Sequence, residues 1–232
     1  MPRENYQERL EQLRGDVVAM GDLVLDRCET ALRAAETGDD DLADEVIGGD
    51  HVVNERYLEL EEECTELLAL QQPVAGDLRL VTASFKIITD LERVGDLATN
   101  IAAYGGDDGG IHPAVDFRGL GDAAGDMVAD AVAAYEATDP DACREINVRD
   151  DDLDERCRRA SEAVVRSLLE ADRARAAANG DGDPDPDRLA DTLDEISRAL
   201  LAIRDLERVG DHGVNIAART LYMIESDDEL IY

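Results

Sequence analysis

The heptad DLERVGD occupies residues 90–96 and recurs letter for letter at residues 205–211; in each copy NIA follows, at 100–102 and at 215–217. A repeated apolar pattern needs only packing to explain it. A repeated set of acids and arginine implies a shared task for polar side chains. The repeat also extends outwards from the heptads. At an offset of 100, residues 31–56 (ALRAAETGDDDLADEVIGGDHVVNER) align without gaps to residues 131–156 (AVAAYEATDPDACREINVRDDDLDER), sharing Glu36 with Glu136, Asp39 with Asp139, and Glu55-Arg56 with Glu155-Arg156. At the heptads the offset is 115, so the second half carries 15 further residues, and the Gly, Pro and Asp run NGDGDPDPD at 179–187 is the loop that accommodates them.

Hydrophobic residues make up 44% of the 232 positions and aromatics only 3%, with no Trp. A core of Leu, Val, Ile and Ala is that of a helix bundle, so the fold class is all-α. The length suits one large domain or two of about 110 residues. In the first half a helix over about 4–37 ends near Gly38. A second starts from a cap at Asp39 to Asp41 and runs to about Leu70, with an interruption at Gly48-Gly49. A third opens near Pro73 and stops before GGDDGG at 105–110, the expected boundary between units at 1–107 and 108–232. The second half follows with helices at about 117–138, 140–177 and 187–225. Short turns make successive helices antiparallel neighbours, which predicts two tandem three-helix bundles, six helices in series.

On a helix of about 100° per residue, Leu91, Val94, Ala98 and Ile101 form one apolar stripe. Glu92, Asp96 and Asn100 form a second stripe roughly opposite. The other copy repeats this with Leu206, Val209, Gly213 and Ile216 against Glu207, Asp211 and Asn215. The acids therefore point outwards or into a surface groove. Two carboxylates at i and i+4 repel by a few tenths of a kcal/mol on an isolated helix, a penalty that a cation removes. Oxygen donors suit hard or borderline ions such as Mg²⁺, Mn²⁺ or iron. The second helices offer partners at the same spacing: Asp50 with Asn54, and Asp150 with Asp154. With Asn54 standing where the second half has Asp154, weaker metal binding is expected in the first half. Arg93 and Arg208 are expected to pair with Asp90 and Asp205, three residues before them. Gly95 and Gly210, mid-helix at a cost of about 1 kcal/mol each relative to Ala, point to close helix packing.

Acidic residues number 56 against 23 basic ones, for a net charge of −33, and Lys86 is the only lysine. Such a balance fits a protein adapted to concentrated salt, where at about 1 M the Debye length falls to roughly 3 Å. It disfavours direct binding to nucleic acid or to an anionic membrane surface, both polyanions. No apolar run approaches the ~20 residues of a membrane span, and the charged N-terminus has no signal-peptide pattern, so a cytoplasmic location is expected. Cys28, Cys64, Cys143 and Cys157 lie far apart and read as buried free thiols. No phosphate-cradling GK[ST] loop or nucleophile and base pair is present. A ferritin-like di-metal enzyme would need inward ExxH pairs, and none of His51, His112 and His212 lies three residues after a Glu. A metal-free helical adaptor is the alternative to a metal-binding protein.

The stretches QPVAGDLRLVTASFKIITDLERVGDLATNIA (72–102) and LERVGDHGVNIA (206–217) resemble the PhoU family of phosphate-uptake regulators. The second half lacks a recognisable PVAxDLR. The resemblance implies spectrin-like bundles and a cytoplasmic accessory protein that damps phosphate uptake. Its implied partners are the ATPase of a phosphate ABC transporter and signalling proteins, in bacteria a sensor kinase, with homodimerisation left open. It further implies E(D)xxxD motifs that hold iron or zinc clusters. Here those motifs are Glu92 with Asp96, Glu207 with Asp211, and Asp150 with Asp154, while Asp50 with Asn54 matches only in part. From its charge the protein is expected to lose helicity as NaCl is lowered from about 3 M to about 0.05 M, where unscreened repulsion reaches much further. Circular dichroism across the series checks this, and full helicity at the low end would contradict it.

Overall fold

The structure is a computed structural model that describes residues 3–70, 74–105, 111–179, 186–226 and 229–230. Its helices are α1 (Arg3–Thr37), α2 (Asp40–Gly48), α3 (Asp50–Leu70), α4 (Ala75–Ala103), α5 (Phe117–Ala137), α6 (Pro140–Asn179) and α7 (Pro186–Glu225), with no strand among the described residues. Counting α2 and α3 as one interrupted helix, each half contributes three. Pro73, most of the glycine-rich boundary and the middle of the 179–187 loop lie outside the described residues.

The repeated local signals act alike in both halves. Gly38 and Thr138 both take left-handed backbone, φ 64° and 53°, to close α1 and α5. Asp39 Oδ1 then accepts from Leu42 N at 3.1 Å, while Asp139 Oδ1 accepts from the amides of Asp141 and Ala142 at 3.0 and 3.1 Å. Each aspartate satisfies amides that the first helical turn leaves unpaired. The halves part company one helix further on. At Gly48-Gly49 the second helix breaks, and Arg27 of α1 donates from Nη2 to the freed Val46 carbonyl at 2.5 Å. A Cβ on Gly49 would stand 2.6 Å from that guanidinium. In α6 the same positions are Val148 and Arg149, and the helix runs through.

The two tandem bundles lie side by side. α1 packs on α5 as well as on α4, and α4 on α7, so one hydrophobic cluster runs through both halves. The α1–α5 contact is reciprocal in the manner of a two-fold interface. A Cβ on Gly21 would come within 2.9 Å of Val132, and one on Gly121, at the same repeat position, within 2.3 Å of Leu32. In the α4–α7 contact, Arg79 Nε donates to Met223 O at 3.2 Å, Asp90 meets His212, and Tyr104 meets Asp205. Residue numbers rise along one helix as they fall along the other, so α4 and α7 are antiparallel and cross at the two heptads. Leu91, Val94, Ala98 and Ile101 are buried there with Leu206, Val209, Gly213 and Ile216, as the apolar stripes predict. The four cysteines are buried and free.

Gly95 and Gly210 serve packing: a Cβ on them would lie 3.1 Å from Val53 and 2.3 Å from Leu153, residues that are themselves repeat equivalents. At Gly213 the approach is tighter in kind, because the neighbours at 3.1 to 3.2 Å are backbone atoms of Met127 and Val128. Backbone cannot rotate away as a leucine tip can. Gly213→Leu is therefore expected to destabilise by about 1–3 kcal/mol through overpacking. Gly15→Ala, where a Cβ meets nothing within 4 Å, is expected to stabilise by up to about 1 kcal/mol. Denaturant unfolding of both variants checks the pair.

Candidate metal centre

The acidic stripe of α4 faces α3, and that of α7 faces α6, so the predicted ligands sit in two grooves rather than on free surface. In the second-half groove, carboxylate oxygens of Asp150, Asp154 and Asp211 all lie within 4.8 Å of one another. No other trio of acid, histidine or cysteine groups meets this closely among the described residues. Asp150 is half-buried, and its Oδ1 is inaccessible to water and has no hydrogen-bond partner. Burial first, then the charges of Asp154 and Asp211, push its carboxyl up to about 6. Glu207 stands at the rim of this trio; burial and the charges of Asp154 and Asp211 raise its carboxyl too. Asp211 is raised by burial and by Asp154. Three raised carboxyls gathered beside Asp154, one with an orphaned oxygen, form a donor set that fits a hard cation.

The first-half groove assembles its residues differently. Asp50 opens α3 and accepts from Asn54 Nδ2 at 2.8 Å and from Thr99 Oγ1 at 3.3 Å. Glu92 is raised by burial and then by Asp96, with Asp50 adding a smaller push. The structure corrects one expectation here. Arg93 does not pair with Asp90; it reaches Glu92 at 3.6 Å and Asp96 at 3.3 Å. Asp90 is engaged elsewhere, its Oδ1 accepting from Nδ1 of His212 at 3.0 Å, which sets the proton on that nitrogen. Arg208 does lie 3.5 Å from Asp205, as the spacing predicts.

Neither Asp90 nor Asp205 belongs to a groove; each reaches across between the halves. Asp205 is fully buried and accepts from Tyr104 Oη at 2.7 Å, with Arg204 at 3.0 Å. Burial and then that hydrogen bond push the Tyr104 phenol up to about 12. Sequence reasoning did not anticipate Thr99, Tyr104 or His212. Thr99, three residues after Asp96 on the face towards α3, was the one within reach of a helical-wheel argument.

Comparison with known proteins says to which family this pair of helical bundles belongs. The family model described as PhoU domain matches twice, over residues 17–104 and 117–220. This chain belongs to the PhoU family. It is 31% identical to the phosphate-specific transport system accessory protein PhoU homolog of Pseudomonas putida over 97% of this chain and 82% of that protein. The Escherichia coli K12 accessory protein PhoU is 28% identical over 96% of this chain and 86% of its own length. Among solved structures, PhoU from Pseudomonas aeruginosa superposes with a TM-score of 0.80 at 29% identity, over 96% of this chain and all of that one. The regulatory protein PhoU from Streptococcus pneumoniae shares the fold, with a TM-score of 0.79 at 24% identity. No described helix is long and apolar enough to cross a membrane.

The strain at Asp150 has a sign that can be measured. An acid whose folded value is raised holds its proton more tightly in the native state. Stability therefore falls as pH rises from the unfolded value near about 4 to about 6, and the full cost is present above that window. In chelator, Asp150→Asn is expected to melt higher than the parent at pH 7.5, and the gap should close by pH 4. Thermal melts of both proteins across that range check it.

Proposed function

We propose that this protein is a regulatory accessory factor of phosphate transport, without a reaction of its own, and that a metal ion held in its second-half groove is part of the surface that its partners read. The transport role is supported by relatives named as accessory proteins of the phosphate-specific transport system, aligned over nearly the whole chain. The metal reading is carried by one observation, the buried Asp150 oxygen without a partner beside two more carboxylates. Asp150, Asp154, Glu207 and Asp211 would hold the ion, which supplies positive charge where four acids otherwise repel. An all-oxygen donor set suits Mg²⁺, Mn²⁺ or iron better than zinc sites built on Cys and His.

The proposed site of action is the cytoplasmic side of a phosphate ABC transporter, with its ATPase and associated signalling proteins as partners. Because the groove opens to solvent at Asp154 and Asp211, a partner can contact the bound ion without any relay through the core. The −33 charge favours protein partners over polyanions. Glu207→Gln with Asp211→Asn is expected to keep the fold, because neither side chain is in the core and such changes usually cost within about 0.5 kcal/mol. Cells carrying the pair should lose restraint of phosphate uptake when phosphate is plentiful. Radiolabelled phosphate uptake against the parent strain checks it, and normal uptake with bound metal lost would favour the metal-free adaptor.

A further inference from the structure

The two grooves belong to one repeat, yet the side chains around their acids differ in kind or in direction. In the first, both Asp50 oxygens already accept, from Asn54 and Thr99. Their second-half equivalents are Asp154, which adds a charge, and Val214, which has nothing to donate. In the first groove the guanidinium of Arg93 lies against Glu92 and Asp96. Its equivalent, Arg208, lies closest to Asp205 and forms no ion pair within 4.0 Å of Glu207 or Asp211, although its charge still eases Asp211 from further off.

The contact between the halves explains the different turns of these arginines. Asp205 is fully buried, and the donor that reaches it from the other half is the phenol of Tyr104, which is neutral. A buried carboxylate with a neutral partner still needs positive charge, and Arg204 and Arg208 both supply it. Asp90 is half-buried and already held by the ring of His212, so Arg93 is free to fold back over the acids of its own helix.

We infer that the first groove does not take a metal ion, because Arg93, Asn54 and Thr99 already fill the role of one, and that Tyr104 and His212 set this asymmetry by deciding where each heptad arginine points. The inference rests on the metal reading of the second groove. It makes the chain a one-groove binder in which the first copy of the motif is a structural contact between α3 and α4.

Mn²⁺ binding to chelator-stripped full-length protein tests it, by calorimetry with elemental analysis of the dialysed product. Asp154→Asn, which copies the first half's own Asn54, and Asp211→Asn are each expected to reduce bound Mn²⁺ at least tenfold. Asp96→Asn is expected to leave the amount bound per chain unchanged and the affinity within twofold, while lowering the melting temperature. The triple change Asn54→Asp, Thr99→Val and Arg93→Met is expected to raise the amount bound. A clear loss of bound Mn²⁺ in Asp96→Asn, or no gain in a folded triple variant, overturns the inference and leaves the metal reading standing. No binding by the unaltered protein overturns the metal reading itself, and with it this inference.

Discussion

The antiparallel crossing of α4 and α7 is the contact on which the rest of the molecule depends. The apolar stripes of both heptads are buried in the one core that runs past this crossing, which fixes the rotation of each helix about its axis. With Leu91, Val94, Leu206 and Val209 turned into that core, the acids on the opposite stripes face α3 and α6. The same rotation carries the first letter of each heptad, Asp90 and Asp205, to the line where the halves meet. One short motif thus contributes to the core, to the contact between halves and to a groove at once. That is the physical reason it is written twice in full rather than as a mere apolar pattern.

What happens in each groove follows from a balance between charge and partners. Acids on neighbouring helices repel, and burial strengthens the repulsion by taking water away from them. The first half relieves this from within, through an amide, a hydroxyl and a guanidinium. The second half leaves more of it in place, with Asp150, Glu207 and Asp211 displaced upward against Glu92 alone in the first groove. Such repulsion destabilises the groove as it stands, and the cation proposed for it would offset that cost. The surface acids elsewhere are of another kind, exposed to water and screened by it.

Helix number, helix ends and the core stripes were legible because each depends on near neighbours in the chain. A cap such as Asp39 or Asp139 acts on amides two or three residues away, and a stripe such as Leu91 to Ile101 reflects only the helical period. Duplication raised the acidic pairs above the background of an acidic chain. A further signal was present and went unread: Gly21-Asp22 and Gly121-Asp122 keep the offset of 100. Those glycines mark the reciprocal α1–α5 approach that brings the two tandem bundles side by side.

By itself the sequence determined the all-α class, the repeat, the family and which residues are candidates for a cation. Tertiary structure alone decided which candidates meet. Arg93 and Arg208 occupy identical heptads, so no local rule could send one to its neighbours Glu92 and Asp96 and the other to Asp205. That choice is made by His212 and Tyr104, which lie 122 and 101 residues from the aspartates they engage. Electrostatic partners are selected by distance in space and by the water excluded between them, and neither quantity is defined until the two halves have packed.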